Sequence, residues 1–299
     1  MSRRFLDNCL YSVNQIFKQR GRLSHESRYD YLMNIRNMVR EWHAAGYQLS
    51  NIRHVKLKHV NFLVKQWQEN GIATATIKNR LSQLRYLSQL INKPDMMPET
   101  NNEMNVGQRS YIAAESKAIL EVDLSKFEDP FIQYSVRLQQ QFGLRREEAI
   151  KFVVSYADRG DHLHLKPSWT KGGVPRDIPI LTSEQRTLLD EIKKHVGEDN
   201  SLIPDGKTYS MQKNFHYTAT RNAGYQNLHG LRHAYAQRRY FEIINERTNG
   251  HGWQAPFNGG KHVKDLTASE RHVDDDARSI ISRELGHSRK QIVAIYCGV

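Results

Sequence analysis

Residues 285–296 read Leu-Gly-His-Ser-Arg-Lys-Gln-Ile-Val-Ala-Ile-Tyr. At about 100° per residue, the nine steps from His287 to Tyr296 turn a continuous helix by about 900°, leaving the two side chains on opposite faces. If both serve one site, the helix breaks, with the polar Ser288-Arg-Lys-Gln stretch as the place for it, or the tyrosine comes from another segment or protomer. Three stretches upstream bear on this. Gly143-Leu-Arg145-Arg-Glu-Glu148 sets an arginine at the end of an apolar helix, with a carboxylate three residues on to brace it. Trp169-Thr-Lys171-Gly-Gly sets a flexible ammonium at the lip of a β-turn. His229-Gly-Leu-Arg232 places an imidazole and a guanidinium on one helix face, able to meet one anionic group.

Each stretch alone has an ordinary structural reading. Arg145 suits an ion pair with Glu148, Lys171 a turn, His287 a helix cap and Tyr296 a core position. The 14 His and 26 Arg make about one His-x-x-Arg tetrad a chance event, and a second, His25-Glu-Ser-Arg28, is present. The information lies in the ordered set.

Composition narrows the class. The 299 residues carry 44 Lys+Arg against 32 Asp+Glu, a formal charge of +12, with 38% apolar and 25% charged residues. That is the profile of a folded chain of about two domains with a polyanionic partner, and charge alone does not separate DNA, RNA and a membrane surface. No run approaches the roughly 18 apolar residues of a membrane span. The N-terminus lacks a secretory apolar stretch, and Cys9 and Cys297 form neither a disulfide framework nor a metal-ligand spacing, so an intracellular, reducing setting is expected.

Along the chain, Tyr29, Leu32, Ile35, Arg36, Val39 and Trp42 fall near a helical repeat that Ala44-Ala-Gly46 ends. A second helix is predicted from Lys58 to Glu69, stopped by Asn70-Gly71. A third, capped by Thr74 or Thr76, carries Ile77, Leu81, Leu84, Leu87 and Ile91 inward. Its outward Lys78, Arg80 and Arg85 suit either a solvated face or DNA phosphates. Residues 93–109, polar and broken by prolines, read as a linker between a helical domain at 1–92 and a second domain at 110–299. There, helices are predicted at Ser116–Val122, Pro130–Phe142 and Arg146–Phe152. An antiparallel pair follows, His162-Leu-His-Leu and Val174–Ile180, and then helices to the end. The fold class is mainly α with a small antiparallel sheet.

The ordered set resembles the tyrosine recombinase (phage-type integrase) family, whose catalytic domain is related to type IB topoisomerases. The family pattern is a Gly-Leu-Arg-x-x-Glu box, a β-hairpin lysine, a His-x-x-Arg box, a Leu-Gly-His box and a tyrosine nine residues after that histidine. All are matched here, clearly over 110–299, whereas 1–92 resembles the family's N-terminal core-binding (SAM-like) DNA clamp only in general pattern. The resemblance implies Tyr296 as nucleophile, Lys171 as general acid, Arg145 and Arg232 on the phosphate, His229 and His287 completing the site, and Glu148 in support. Arg176 is expected to contact DNA along with Lys78, Arg80 and Arg85, while Arg238 and Arg239 suit phosphate contact or plain surface charge.

The chemistry asks for these residue types. A phosphodiester attacked by oxygen passes through a phosphorane with extra negative charge, and planar guanidinium groups stabilise it where the charge develops. Two arginines fill the role metals often take, so no cofactor and no metal is expected, and the histidines show no convergent ligand spacing. A free tyrosine titrates near pH 10, so neighbouring cations are expected to ease its deprotonation. The product is a 3′-phosphotyrosyl bond that keeps the phosphodiester energy without ATP. The resemblance implies strand transfer between two duplexes by four protomers through a Holliday junction, integrating or excising a mobile element. Partners are then double-stranded DNA, further copies of the chain and accessory DNA-bending or directionality proteins, with no membrane. The expected location is a cytoplasm, on the nucleoid, for a bacterial, archaeal or phage-encoded protein. A topoisomerase or resolvase with the same chemistry and a non-catalytic DNA-binding regulator are the alternatives. The regulator has no need of the whole set.

Two departures stand out. The segment between the His-x-x-Arg and Leu-Gly-His boxes carries an insertion near 245–283, with a Gly-rich loop bearing Trp253 and Phe257 and a Thr267-x-x-Glu270 capping box. The insertion either touches DNA or a neighbouring protomer or merely decorates the surface, and contact is the expectation because aromatics are costly to expose. Only Cys297-Gly-Val299 follows the tyrosine, where many relatives carry a tail that docks on the next protomer, so cyclic tail exchange is in doubt.

Overall fold

The computed structural model describes residues 3–18, 23–109 and 114–299. Residue 110, where the second domain is expected to begin, lies outside them. Two compact units form, residues 1–110 and 111–299.

In the first unit, α1 (Arg3–Lys18) turns Cys9, Val13, Ile16 and Phe17 inward. These fall on one helical face, a period the sequence reading passed over. The second helix, α2 (His25–Ala44), starts where Ser24 Oγ accepts from the Ser27 amide at 3.3 Å. It buries Ile35, Met38, Val39 and Trp42, and the Trp42 indole donates to the His59 carbonyl at 2.8 Å. Tyr29 is 58% exposed rather than inward, because thirteen residues at about 100° bring it roughly 140° away from Trp42 around the helix.

The third helix, α3 (Leu57–Glu69), ends at Asn70 and Gly71. Only Ile72 then separates that turn from Ala73, the residue that precedes α4 (Thr74–Leu90) and makes no side-chain cap bond. Neither Thr74 nor Thr76 caps the helix, since the tight passage out of α3 places both inside the first turn. Ile77, Leu81, Leu84, Leu87 and Ile91 are buried as expected.

Residues 93–109 fold onto this unit instead of linking. They form short 3-10 turns at Pro94–Met96 and Asn102–Met104, and Met96, Met104 and Val106 join the core of α1–α4. Polar anchors reinforce them: Lys93 Nζ donates to the carbonyls of Arg53 and Val55 at 3.0 and 3.1 Å, and Arg85 to Asn101 Oδ1 at 2.6 Å. Three scattered apolar side chains suffice to anchor the stretch without any periodicity.

In the second unit, residues 116–122 form no regular secondary structure where a helix is expected. The Ile119 amide donates to the Gly230 carbonyl at 3.0 Å, and Ser116 Oγ accepts from Gln237 at 2.9 Å, so tertiary bonds override local helix propensity. Asp129 caps α5 (Pro130–Phe142), accepting from the Phe131 amide at 2.8 Å, and short helices α6 (Arg146–Ile150) and α7 (Val154–Ala157) follow. Strands β1 (His162–Leu165) and β2 (Arg176–Pro179) pair antiparallel, with Leu163 opposite Ile178 and Leu165 opposite Arg176. Leu163, Leu165 and Ile178 face the core. Helices α8 (Ser183–Val196), α9 (Tyr209–Asn222), α10 (His229–Arg247), α11 (Ala268–Glu284) and α12 (Ala294–Cys297) complete the unit. The central α10 packs on α5, α11 and α12. The capping box at the start of α11 is present, with Glu270 and Thr267 bonded reciprocally. No helix among the described residues is long and apolar enough to cross a membrane.

If 93–109 were a free linker, Met96→Ala would change stability by less than about 0.5 kcal/mol. Its complete burial predicts a loss of about 2–5 kcal/mol instead, measured by urea unfolding of the full chain.

Candidate active site

The site is built around Glu148, which is fully buried. Gly143 ends α5 at φ +61°, and a Cβ there would lie 2.6 Å from the Tyr235 ring, so only glycine lets the chain turn this close to α10. Leu144 plugs into the core, and Arg145 follows in extended geometry as the residue before α6. The Arg145 amide donates to Glu148 Oε2 at 2.6 Å and its guanidinium to Oε1 at 2.9 Å, the brace that the sequence suggests.

The second partner of Glu148 is a correction. Arg176, expected on DNA, is 7% exposed and grips the carboxylate with both terminal nitrogens, at 2.7 and 2.6 Å, while its Nε donates to the Glu284 carbonyl at 2.8 Å. Opposite Leu165 in the strand register, it is turned inward, with all three guanidinium nitrogens bonded within the chain. Burial alone would push the Glu148 carboxyl up, but Arg176, with Arg145 and Arg232, overrides it and holds the group at about 2.

Arg232, in the first turn of α10, is 1% exposed. Its terminal nitrogens donate to the carbonyls of Gly143 and Leu285, and Arg145 donates to the same Leu285 oxygen at 3.2 Å. Burial first, then Arg145, lowers the Arg232 guanidinium to about 10, which leaves it charged at neutral pH. Arg145 and Arg232 thus converge on one point.

The helix carrying the last box breaks. After α11, Gly286 takes φ +65° and a 3-10 turn, Lys290–Val293, leads into α12. The break begins at the glycine, ahead of Ser288. A Cβ on Gly286 would meet the Arg176 side chain at 3.0 Å, so the box needs glycine for both turn and space. Folding back brings Tyr296 Oη to 3.1 Å from His287 Nε2 within one chain. Tyr296 is 5% exposed, its ring 6.2 Å from His229, 5.7 Å from His287 and 6.0 Å from the Arg232 guanidinium. Burial and then the arginines hold the His287 imidazole at about 4; burial, Arg232 and His233 do the same for His229, whose outer face is open to solvent. At neutral pH both rings are uncharged.

Lys171 stands apart, exposed on the turn between β1 and β2 that Thr170 Oγ1 closes by donating to the Val174 carbonyl at 2.8 Å. In the first unit, Lys78, Arg80 and Arg85 are half-buried; the Arg80 guanidinium lies 4.8 Å over the Trp67 ring and Arg85 bonds Asn101. Arg239 pairs with buried Glu284 at 3.1 Å, and Arg238 with Glu242 at 3.7 Å.

Sequence reasoning missed His233 and Gln237. The His233 ring packs 4.7 Å from that of Tyr296, and Gln237 donates to the Tyr296 carbonyl at 2.7 Å. Both follow His229 on α10 at i+4 and i+8, and that helical spacing is the signal that finds them. The insertion also reads differently. Trp253 is half-buried against the core and donates to Tyr240 Oη at 3.1 Å, and Phe257 is half-buried too, so neither aromatic waits exposed for DNA.

Comparison with solved structures finds the same fold in DNA-bound integrases and in a site-specific recombinase. A lambda integrase dimer bound to a COC′ core site aligns over 98% of this chain and 93% of its own, with TM-score 0.57 and 14% identity. The XerH site-specific recombinase on palindromic difH aligns over 96% and 80%, with TM-score 0.57 and 14% identity. A lambda integrase tetramer on a Holliday junction aligns over 83% and 75%, with TM-score 0.52 and 16% identity. At these identities the likeness establishes the fold. No curated protein sequence matches significantly. The phage integrase N-terminal family matches residues 1–96 and the Integrase family residues 104–238. The chain belongs to the phage-type integrase family.

Gly286→Ala meets both strain at positive φ and contact with Arg176, so a loss of about 1–3 kcal/mol in urea unfolding is expected, with a matching change at Gly259 staying nearer the 1 kcal/mol end. A pH dependence follows as well. His233 is 4% exposed and held at about 4 by burial, Lys117 and Arg232, whereas an unfolded histidine titrates near 6.5. Because its folded pKa is depressed, its contribution is complete above about pH 6.5 and is lost as pH falls toward 4, at about 1.4 kcal/mol per pH unit for one proton. Unfolding measured between about pH 7.5 and 4.5 should show a slope to which His229 and His287 also contribute, and His233→Gln should lower it by about one proton.

Proposed function

We propose that this integrase is a site-specific DNA recombinase that cleaves and rejoins duplex DNA through a 3′-phosphotyrosyl intermediate. The observation that carries the reading is the hydrogen bond between Tyr296 and a neutral His287 beside two converging guanidinium groups. Tyr296 Oη attacks the phosphorus and its proton passes toward His287 Nε2. The bond from phosphorus to the 5′ oxygen breaks, and Lys171, on its exposed turn, is the general acid that protonates the leaving oxygen. Arg145 and Arg232 hold the non-bridging oxygens, with His229 at the open side and Glu148 supporting Arg145. Religation is the reverse, with an incoming 5′ hydroxyl as nucleophile.

On this reading residues 1–92 clamp DNA, with Lys78, Arg80 and Arg85 among the phosphate contacts, while 110–299 catalyse. The lambda integrase tetramer on a Holliday junction supports assembly of four copies on DNA. Accessory DNA-bending or directionality proteins, and a place on the nucleoid, belong to the same reading.

The test is to incubate the protein in EDTA with a pool of DNA fragments nicked so that religation fails, then to resolve covalent adducts on denaturing gels and sequence them. Wild type is expected to form adducts at a restricted set of sequences and Tyr296→Phe none. Arg232→Lys is expected to keep its DNA affinity within about threefold but to cleave at least about 100-fold more slowly, because a point charge does not replace the planar fork. Adducts from Tyr296→Phe would overturn the assignment, and adducts at every sequence would favour a topoisomerase.

A further inference from the structure

The segment bearing Tyr296 has little structure of its own. The four residues of α12 are far fewer than the roughly 12 that make a helix stable alone. What holds it is a buried polar chain that begins in the insertion. Trp253 Nε1 donates to Tyr240 Oη at 3.1 Å, and Tyr240 donates to Asp274 Oδ1 at 2.6 Å. Arg278 Nε donates to both Asp274 oxygens at 2.9 Å, and Arg278 Nη1 donates to the Gly298 carbonyl at 3.0 Å. Tyr240, Asp274 and Arg278 are all buried. The insertion also touches the segment directly: at Gly298 a Cβ would meet Pro256 Cβ at 3.0 Å and the Phe257 nitrogen at 3.2 Å. On the opposite side Gln237 takes the Tyr296 carbonyl, and Cys297 Sγ donates to the Ala236 carbonyl at 3.7 Å.

We propose that the insertion, through Trp253, Tyr240, Asp274 and Arg278, is a latch that seats Tyr296 in the catalytic unit of its own chain. These four are positioning residues acting through the main chain at Gly298, two residues beyond the nucleophile. Breaking a buried ion pair leaves an uncompensated charge, so the Asp274–Arg278 link gives the latch its stiffness. The inference rests on Tyr296 being the nucleophile, and its test separates the two.

Amide hydrogen exchange of residues 294–298, measured on the full chain without DNA, reads the latch alone. Arg278→Met is expected to speed exchange there by about tenfold or more while α5 and the β1–β2 pair keep their protection. If Arg278→Met fails to fold, Arg278→Lys decides: it keeps the Asp274 pair but lacks the second arm that reaches Gly298, and the same local loss is expected. Delivery within one chain is read by mixing Tyr296→Phe with Arg232→Lys on the nicked DNA trapped by wild type. The mixture is expected to stay silent. Adding Arg278→Met to the Arg232→Lys partner frees its tyrosine to enter the neighbouring site and restores adduct, which a merely structural role would not do. Unchanged exchange at 294–298, or adduct from the latch-intact mixture, overturns the latch. Failure of wild type to form any adduct overturns the proposed function, while the exchange result still decides the latch.

Discussion

The ion cluster at Glu148 is the constraint from which the site follows. One buried carboxylate accepts from the Arg145 amide, the Arg145 guanidinium and both arms of Arg176. A lone carboxylate at that depth would be expensive, and so would three unpaired guanidinium groups near it; together the charges make burial tolerable. The elements that meet here are distant in sequence: the turn after α5, strand β2, the start of α10 and the end of α11. Their separation is bridged by main-chain carbonyls, because Gly143 accepts from Arg232, Glu284 from Arg176, and Leu285 from both Arg145 and Arg232. The arginines aimed at the candidate site are therefore fixed by the same bonds that close the fold.

The break at Gly286 matters as much as the cluster. A straight continuation of α11 would have carried Tyr296 to the far face from His287. Instead the left-handed glycine reverses the chain, and the 3-10 turn over Lys290–Val293 gives it a pitch that returns the tyrosine to α10. There the ring meets His229, His233 and His287, all uncharged at neutral pH because burial and nearby guanidinium groups oppose a further positive charge. Neutral imidazoles accept protons, and their lack of charge keeps the cationic field focused on the arginines.

Much of this was legible in the sequence, where a residue's chemistry and its spacing specify its place. The brace of Arg145 by Glu148 is local, so an i, i+3 reading found it, and the helical repeat beneath Trp42 or Leu84 states its own face. Arg176 was misread because its partner lies twenty-eight residues upstream, beyond any local rule. Residues 116–122 have the composition of a helix but are captured by the main chain of Gly230, and 93–109 look like a linker because their apolar residues are sparse. Trp253 and Phe257 suggested an exposed surface only because nothing local announced the Tyr240 hydroxyl or the turn at Gly298 that receive them.

The Leu285 carbonyl accepts from Arg145 and Arg232 at once. It occupies, within the chain, the position of an acceptor between two guanidinium groups. On the proposed function, a phosphate would compete with this oxygen for donors already aimed by the fold, so that binding would exchange one acceptor for another. Since that oxygen belongs to the residue just before Gly286, the same exchange would slacken the hold on the loop that carries His287. Arrival of the anion and the setting of His287 would then be coupled through two bonds to a single atom, and by reciprocity a loop restrained elsewhere would weaken the grip on the anion.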